Sequence, residues 1–483
     1  MMEKSYDNEI YNFNLWKRYN GEYQDHVITN STIDSTTELI EESNKKVVYM
    51  NDLEKRKQAY GICGECNEPG TGVEWCQPCN AKRFKDNFKN WTSGNKDIDE
   101  FIQQSQLNAV YYKKYLEWIP FENFKDITYI TRGGFGKIYS AKWPEGYIDS
   151  WDIENQKWIR SSNEKVALKS LDNSSCISTE FLNEIKSHLQ IYLYDVIQCY
   201  GITQDPNTKD YMMVLEYCED GNLRNYYMNN ESDYSSKILK LYRIASGLLD
   251  IHNAGKIHKD FHSGNILFKS HPFISDLGMC QPANNEKQSV KQEGIYGVLP
   301  YMAPEVLRGY QYTKASDIYS FGIMMNEYIS EETPYNNIPH NHALAIKICK
   351  GLRPNTFKYT PNLLTDLITK CWDAKPENRP TAKELYQILN KWNNYEYDDS
   401  DTKSQVYEYD DKIRLNRTSE KRSNNIQTHP QAIYTSRLLN FKNLPEPVNS
   451  GAIQSTLFSE GFDCQLDESD LNELIQDDEN NIE

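Results

Sequence analysis

The spacing of apolar and polar residues changes several times along the chain. Between about residues 124 and 394, short apolar runs typical of strands alternate with longer segments of helical periodicity. The predicted strands cover residues 127–130, 138–143, 166–168 and 212–215. The predicted helices cover residues 239–253, 318–329 and 363–373. This alternation marks residues 124–394 as the main folded unit.

The segments before this unit carry weaker patterns. Residues 1–58 are polar and irregular, so we expect them to be largely disordered, with some helix near 49–58. A small cysteine-containing module is expected at 59–92. Apolar residues at helical spacing then predict a helical connector at 93–123.

The C-terminal tail differs from the rest of the chain in composition. Residues 395–483 contain 19 acidic and 8 basic residues, which predicts a largely disordered acidic tail. Within this tail, residues 432–439 and 441–445 are unusually apolar. They are interpreted as a docking motif for a partner, as a regulatory segment that packs on the folded unit, or as a chance cluster.

Composition and charge exclude several classes of protein. The chain has 483 residues, of which 38% are hydrophobic, and a formal net charge of −17. This acidic balance argues against broad binding to nucleic acids or anionic membranes, because both require a basic protein face. No run approaches the roughly 18–20 apolar residues of a membrane span, and the first residues lack a signal-peptide core. We therefore expect a cytoplasmic protein whose 11 cysteines are reduced.

Four of the cysteines form two C-x2-C pairs, namely Cys63, Cys66, Cys76 and Cys79. Each pair points two sulfurs at one place, and four thiolates in a tetrahedron suit Zn²⁺. No position is left for water, so the expected zinc is structural. Redox-active dithiols and unrelated free thiols are the alternatives. The adjoining residues 82–91 mix basic and aromatic side chains, which favours docking on the folded unit over contact with nucleic acid or an acidic partner.

A glycine-rich hairpin lies between the first two predicted strands. It comprises Gly133, Gly134, Phe135 and Gly136, flanked by Ile130 and Ile138. Glycines let backbone amides approach phosphate oxygens because no Cβ blocks them. The two apolar flanks would cover a flat base. Taken alone, the hairpin fits either a nucleotide-binding loop or an ordinary β-turn.

Further motifs follow this hairpin in a fixed order. They are Val166-Ala167-Leu168-Lys169, Phe181-Leu182-Asn183-Glu184-Ile185, the stretch 258–265, Asp276-Leu277-Gly278 and Ala303-Pro304-Glu305. With these motifs, residues 124–394 resemble a protein kinase domain of the tyrosine-kinase-like serine/threonine type. The resemblance implies an α+β bilobal fold, with a β-rich N-lobe and an α-rich C-lobe. It also implies ATP and Mg²⁺ as cofactors and a protein as substrate.

The resemblance assigns catalytic roles residue by residue. Lys169 would hold the α- and β-phosphates of ATP, and Glu184 would pair with Lys169. Asp260 would orient the attacking hydroxyl and accept its proton. Asn265 and Asp276 would ligate Mg²⁺ with hard oxygen atoms.

The same resemblance implies an adenine site. Ala167 and Leu267 would sandwich the ring, and the backbone of the hinge from Glu216 to Cys218 would pair with its edge. Glu180, one helical turn before Glu184, is the alternative partner of the lysine.

Two further residues resemble structural elements of the family. Asp317 would brace the backbone of the catalytic loop. Arg379 would pair with Glu305, since its planar fork binds carboxylates bidentately.

The chain departs from the family pattern at several positions. Serine/threonine kinases usually carry a lysine where His262 stands and a threonine where Val298 stands. His188 replaces an apolar residue in the helix of Glu184, which puts the stability of the active helix position in question. The tyrosine-kinase pattern is absent too, and Tyr301 with the following residues favours a serine/threonine acceptor.

Two segments of the expected domain carry no assigned role. Ser289 and Tyr296 are candidate phosphorylation sites between Asp276 and Glu305. Residues 144–164 are predicted to form an extra hairpin.

These features predict a cytosolic protein kinase with a preceding zinc module and a tail that offers a possible docking site for a partner. A pseudokinase scaffold is the first alternative, favoured by the residues at positions 188, 262 and 298. An adaptor in which the zinc module carries the main function is the second alternative.

Overall fold

The structure, a computed structural model, describes most of the chain. The described residues are 15–17, 22–29, 46–133, 136–171, 179–191, 195–283, 294–394, 400–418 and 428–449.

Strands and helices alternate early, and helices dominate later. The described strands are β1 (Leu15–Trp16), β2 (Gly61–Ile62), β3 (Glu117–Trp118), β4 (Lys125–Gly133), β5 (Gly136–Trp143), β6 (Tyr147–Asp152), β7 (Lys157–Ser161), β8 (Glu164–Leu171), β9 (Cys199–Gln204), β10 (Tyr211–Glu216), β11 (Lys256–Ile257), β12 (Ile266–Phe268), β13 (Pro272–Ile274), β14 (Gln281–Pro282), β15 (Ile295–Gly297) and β16 (Arg437–Leu439). The described helices are α1 (Leu53–Tyr60), α2 (Gln77–Asn87), α3 (Lys96–Leu107), α4 (Thr179–Gln190), α5 (Leu223–Asn229), α6 (Tyr234–Asn253), α7 (Pro304–Leu307), α8 (Lys314–Ser330), α9 (His342–Cys349), α10 (Asn362–Cys371), α11 (Ala382–Asn393) and α12 (Ser400–Thr418). The predicted strands and helices of residues 124–394 are confirmed, and their observed bounds differ from the predicted ones by a few residues.

The N-lobe is built on a six-stranded sheet in the order β3-β9-β10-β8-β5-β4. β3 runs parallel to β9, and the other neighbours are antiparallel. On β8, Val166 and Leu168 are fully buried in the core of the lobe. Because side chains alternate along a strand, Ala167 and Lys169 lie on the opposite face of the sheet. This face is the one that meets the C-lobe.

The inserted segment at 144–164 forms the β6–β7 hairpin, as predicted. Its aromatic side chains reach the cysteine module. Trp158 stacks on Phe84 at 5.0 Å between ring centroids, and the Arg83 guanidinium lies 4.1 Å from the ring of Trp151. The segment 82–91 therefore docks on the folded unit, as the sequence favours, and the hairpin supplies the surface on which it docks.

The C-lobe is centred on α6 and α8. In α8, every residue from 316 to 330 is buried, which is typical of a central helix that is enclosed on all sides. The helix starts with a capping box in which Thr313 and Ser316 each accept from the other's backbone N–H. On α6 the buried residues recur every three or four positions, including Ile238, Leu241 and Leu248. Among the described residues, none of the helices has both the length and the apolar character needed to cross a bilayer.

Helix α12 of the acidic tail packs on the C-lobe through a buried polar cluster. The Lys237 ammonium lies 2.9 Å from Glu331 Oε1 and 3.0 Å from the Tyr409 hydroxyl. Arg417 donates to the same carboxylate at 2.8 Å, and Asp410 accepts the N–H of Tyr234 at the start of α6. The expectation of a largely disordered tail therefore does not extend to α12 or to residues 428–449, and residues 395–399, 419–427 and 450–483 lie outside the described residues.

This cluster generates a stability prediction. Glu331→Gln removes the carboxylate that contacts both the buried ammonium of Lys237 and the guanidinium of Arg417, and we expect a loss of about 3 kcal/mol in the free energy of unfolding. The measurement is a urea titration followed by tryptophan fluorescence. Glu332→Gln, at the exposed neighbouring position, is the matched control and should change the value little. Equal values for the two variants would contradict this role of the cluster.

Candidate active site

A buried ammonium joins the two lobes at the cleft. Lys169 Nζ lies 2.7 Å from Glu184 Oε1 on α4 and 3.0 Å from Asp276 Oδ1, which precedes a short 3-10 turn of the C-lobe. Burial alone would lower the pKa of Lys169, but the carboxylates of Asp276 and Glu184 raise it above its ordinary value. Lys169 in turn holds the pKa of Asp276 below its ordinary value, despite burial. Lys169 and Asp276 are therefore both charged near neutral pH.

Packing fixes the position of α4. Phe181 and Ile185 are fully buried on its core face, whereas Glu184 faces the cleft. Gly278 allows this approach, because a Cβ there would lie 3.0 Å from Glu184 Oε2. The side chain of Glu180, the alternative partner of Lys169, lies outside the described residues.

His188 stands where an apolar residue was expected, and one nitrogen of its ring has a hydrogen-bond partner. The side chain is buried, and Nδ1 lies 2.9 Å from the carbonyl of Ile197. Burial lowers the pKa of His188 to about 4, so the ring is neutral and Nδ1–H donates to that carbonyl. This bond ties α4 to the segment before β9, whereas Nε2 is buried without a hydrogen-bond partner in the described part of the chain.

Asp317 braces the catalytic loop, as expected. Its carboxylate accepts the backbone N–H groups of His258 at 2.8 Å and Lys259 at 3.0 Å, and it contacts His252 Nε2 at 2.9 Å. Lys259 has a positive φ of 72°. The two backbone bonds hold this unusual turn, and the turn presents Asp260 to the cleft.

Asp260 is buried and only partly satisfied by hydrogen bonds. Asn265 Nδ2 donates to its backbone carbonyl at 2.9 Å and to Oδ2 at 3.3 Å. Burial tends to raise the pKa of Asp260, but His262, the hydroxyl of Ser436 and His258 together outweigh burial, and the pKa lies below its ordinary value. Within the described part of the chain, Oδ1 of this buried carboxylate has no hydrogen-bond partner. The carboxylate is thus ionised, and its Oδ1 can accept a further hydrogen bond.

His262 stands beside this carboxylate, where the family usually has lysine. Nε2 lies 3.5 Å from Asp260 Oδ2. Nδ1 accepts the backbone N–H of Gly264 at 3.0 Å, so the proton of the neutral ring is on Nε2 and faces the carboxylate. Val298 is buried, and its side chain cannot provide the hydrogen bond that threonine offers.

A segment of the C-terminal tail reaches this point. The Ser436 hydroxyl donates to Asp260 Oδ2 at 2.6 Å and lies 3.4 Å from His262 Nε2. Tyr296, one of the predicted phosphorylation sites, donates its hydroxyl to the carbonyl of Ser436 at 3.1 Å. The other, Ser289, lies outside the described residues.

The predicted adenine site is partly assembled. Ala167 pairs with Leu215 across β8 and β10, and Cys218 and Leu267 lie in one small apolar cluster with Leu215. Glu216 ends β10, and its N–H donates to the carbonyl of Gln198. The structure therefore brings these hinge and floor residues together beneath β8.

The glycine-rich hairpin connects β4 and β5. Gly133 and Gly136 pair directly at the end of the two strands. Ile130 is exposed and Ile138 half-buried. Gly134 and Phe135 lie outside the described residues.

The four clustered cysteines come together in the N-terminal module. Their sulfur atoms all lie within 4.8 Å of one another. The Cys63–Cys79 and Cys66–Cys76 sulfur distances are 3.9 and 3.6 Å. A tetrahedral zinc with Zn–S bonds of about 2.3 Å places its sulfurs about 3.8 Å apart, so the cluster has the size of such a site.

The pair of Arg379 and Glu305 forms as expected. The guanidinium binds the carboxylate with two bonds of 2.6 and 2.8 Å and also donates to the carbonyl of Ala315 at 3.0 Å. These contacts fasten the end of the segment that carries Ala303-Pro304-Glu305 to the base of the C-lobe.

Comparison with known proteins identifies the same folded unit that the sequence motifs indicate. The family profile of protein tyrosine and serine/threonine kinases matches residues 124–389. A tyrosine-protein kinase of Girardia tigrina is 25% identical over 280 residues, which are 56% of this chain and 53% of that protein. A probable serine/threonine-protein kinase of Dictyostelium discoideum is 29% identical over 270 residues, 50% of this chain and 17% of that protein.

A probable LIM domain-containing serine/threonine-protein kinase of Dictyostelium discoideum is 31% identical over 196 residues, 40% of this chain and 29% of that protein. The chain thus spans about half or less of the length of these curated relatives. The profile covers more than half of the chain, and its limits enclose every motif of the cleft. The chain belongs to the protein tyrosine and serine/threonine kinase family.

Proposed function

We propose that this protein is an active kinase that transfers the γ-phosphate of ATP to serine or threonine hydroxyls of proteins. The carrying observation is the single cleft in which Lys169, Glu184 and Asp276 form one ion-paired chain beside Asp260 and Asn265. Phosphoryl transfer needs positioning and charge compensation more than covalent chemistry, and these groups supply both.

Lys169 binds the phosphates, and Glu184 keeps the lysine side chain from turning away. Asp276 and Asn265 offer the oxygen atoms that Mg²⁺ prefers. The side-chain nitrogen of Asn265 donates to Asp260, so its side-chain oxygen is the atom available to the ion. The donor set therefore fits the ion. Mg²⁺ held by Asp276 and Asn265 would supply positive charge that offsets the charge of the phosphates.

Asp260 orients the acceptor hydroxyl and takes its proton. Its pKa lies below the ordinary value, so the carboxylate is ionised and ready to accept a hydrogen bond. His262 Nε2–H faces the same oxygen and provides a second polar group where the family usually places lysine. Retention of the complete set supports transfer over a pseudokinase scaffold, which would need none of these contacts.

The preference for serine or threonine is supported by the depth of the acceptor position. A short serine side chain on an extended backbone reaches Asp260 Oδ2 at 2.6 Å. A tyrosine hydroxyl lies several ångströms farther from its own backbone than a serine hydroxyl does. To reach Asp260, a tyrosine substrate would therefore need its backbone farther from the catalytic loop. Two of the relatives above are named serine/threonine kinases, and one is named a tyrosine kinase.

The central prediction concerns Asp276. Asp276→Asn removes a carboxylate assigned to hold Mg²⁺, and we expect phosphate transfer to a generic protein substrate to fall by about two orders of magnitude or more, because the cation that would compensate the phosphate charge loses an anionic ligand. The measurement is incorporation of radiolabelled γ-phosphate with Mg²⁺.

Asp366→Asn, at an exposed carboxylate on α10, is the matched control and should keep full transfer. Phosphoamino-acid analysis of the wild-type product should show phosphoserine or phosphothreonine. Phosphotyrosine alone would contradict the acceptor preference, and transfer that survives in Asp276→Asn would contradict the assigned site.

We also propose that the cysteine cluster holds one structural Zn²⁺. The spacing of the four sulfurs and the all-thiol composition of the set support a closed four-cysteine site. Such a metal would tie the turn at Cys63 to the start of α2 at Cys76, in a segment too small to build a large core. The module would then present Phe84 to the β6–β7 hairpin in a fixed orientation.

Metal analysis tests this site. Purified without chelator under reducing conditions, the wild-type chain should contain one zinc per chain by inductively coupled plasma mass spectrometry. The double variant Cys63→Ser with Cys66→Ser should lose it, because serine hydroxyls ligate zinc poorly at neutral pH. Cys280→Ser, outside the cluster, should retain the metal. Zinc-free wild-type protein, or zinc retained by the double variant, would refute the proposal.

A further inference from the structure

Residues 428–449 follow the surface of the C-lobe as one segment with contacts at both ends. Near its start, the N–H of His429 donates to the carbonyl of Asn336 at 2.8 Å. Near its end, the N–H of Val448 donates to the carbonyl of Cys349 at 3.0 Å, and the Asn449 side chain accepts the N–H of Ala374 at 2.7 Å. The catalytic loop lies between these two attachments.

Between the attachments, the segment adds a strand to the kinase domain. β16 pairs with β15 in antiparallel register, with Tyr296 opposite Leu438 and Gly297 opposite Arg437. Strand addition to an exposed edge is a general way to bind an extended peptide, because main-chain bonds give affinity and alternate side chains give register. In the chain, β15 lies between the motif of Asp276 and Ala303-Pro304-Glu305. The contact between Ser436 and Asp260 places the added strand beside the catalytic loop.

Side chains fix the register of this strand. Leu439 is buried among the apolar residues of the C-lobe, whereas its neighbour Leu438 is 71% exposed. The Arg224 guanidinium lies 4.4 Å from the ring of Tyr434, whose hydroxyl donates to the carbonyl of Pro334 at 2.8 Å. Arg437 donates to the carbonyl of His340 at 2.6 Å.

This register delivers one hydroxyl to the catalytic base. Ser436 Oγ lies 2.6 Å from Asp260 Oδ2, within the range required for a general base and the proton that it removes. Thr435, the adjacent hydroxyl, is exposed. The structure thus selects Ser436 among the hydroxyls of the segment.

We propose that residues 428–449 occupy the protein-acceptor groove as an intramolecular substrate, and that the kinase phosphorylates Ser436 of its own chain. The inference rests on the proposed function, since it requires phosphate transfer. It adds a specific acceptor and a regulatory consequence that the family membership does not supply.

The chemistry of the step is balanced. Ser436 Oγ forms a bond to the γ-phosphorus of ATP while the bond from that phosphorus to the β-γ bridging oxygen breaks. The serine proton passes to Asp260 and from there to solvent. The products are phosphoserine at position 436 and ADP.

Transfer changes the stability of the docked segment. Unmodified, the segment is tethered to the groove and competes with any external substrate at high effective concentration. After transfer, a phosphate with a charge of about −2 stands beside the Asp260 carboxylate, and like-charge repulsion weakens docking. Self-phosphorylation then opens the groove to other proteins.

The first experiment follows phosphate on the full-length chain by mass-spectrometric site mapping after incubation with ATP and Mg²⁺. Ser436 should become phosphorylated, and the fraction modified per unit time should not change when the protein is diluted. Ser436→Ala should lose this phosphate, whereas Thr435→Ala should retain modification at Ser436. A rate that falls in proportion to dilution would overturn the intramolecular assignment.

The second experiment releases the segment in the full-length chain. Leu439→Asp places a carboxylate in an apolar site, so docking should weaken by about tenfold or more. Modification of Ser436 should slow accordingly, while phosphorylation of an added serine peptide should increase. Leu438→Asp, at the exposed neighbouring position, should behave as the wild type in both assays.

Two outcomes separate this inference from the proposed function. If the peptide is phosphorylated but Ser436 is not, in wild type and in Leu438→Asp, the self-acceptor proposal is wrong and the kinase assignment stands. If neither Ser436 nor the peptide is phosphorylated, even in Leu439→Asp, both proposals fail.

Discussion

The active arrangement depends on one buried ammonium. Lys169 belongs to the N-lobe sheet, yet it is held by a carboxylate of α4 and a carboxylate of the C-lobe at 2.7 and 3.0 Å. A buried charge is costly unless it is paired, so these three elements have a strong reason to remain together. The ion pairs of Lys169 therefore link the two lobes, α4 and Asp276, and they act together with the packing of Phe181 and Ile185 that fixes α4.

The acceptor side is organised by a second carboxylate. Asp317, buried in the C-lobe, accepts two backbone N–H groups of the catalytic loop and so fixes Asp260. The departures at His262 and Val298 alter the neighbours of Asp260 without removing its role as an ionised acceptor, because His262 turns Nε2 toward it. The tail meets this loop at Ser436, whose hydroxyl donates to Asp260, the proposed base. It meets the rest of the C-lobe through α12.

Sequence patterns predicted much of this architecture because kinase motifs are local and ordered. The strand of Lys169, the helix of Glu184 and the loop of Asp260 are each marked by residues close together in the chain. The packing of α12 was not predicted, because the acidic composition of the tail is typical of disorder and the partners of α12, such as Lys237 and Glu331, are distant in sequence. The apolar stretches at 432–439 and 441–445 were the available signal for the following segment, and they left open a docking motif, a segment that packs on the folded unit and a chance cluster. The polar partner of His188 was also hidden, because it is a backbone carbonyl.

The most direct test of the account is the intact mass of the purified full-length protein before and after incubation with ATP and Mg²⁺, with no partner added. The account predicts a gain of covalent phosphate on the wild-type chain, since the residues proposed as base, phosphate-binding lysine and magnesium ligands lie in one molecule with the proposed acceptor hydroxyl. An unchanged mass, in protein shown by calorimetry to bind ATP with Mg²⁺, would contradict it.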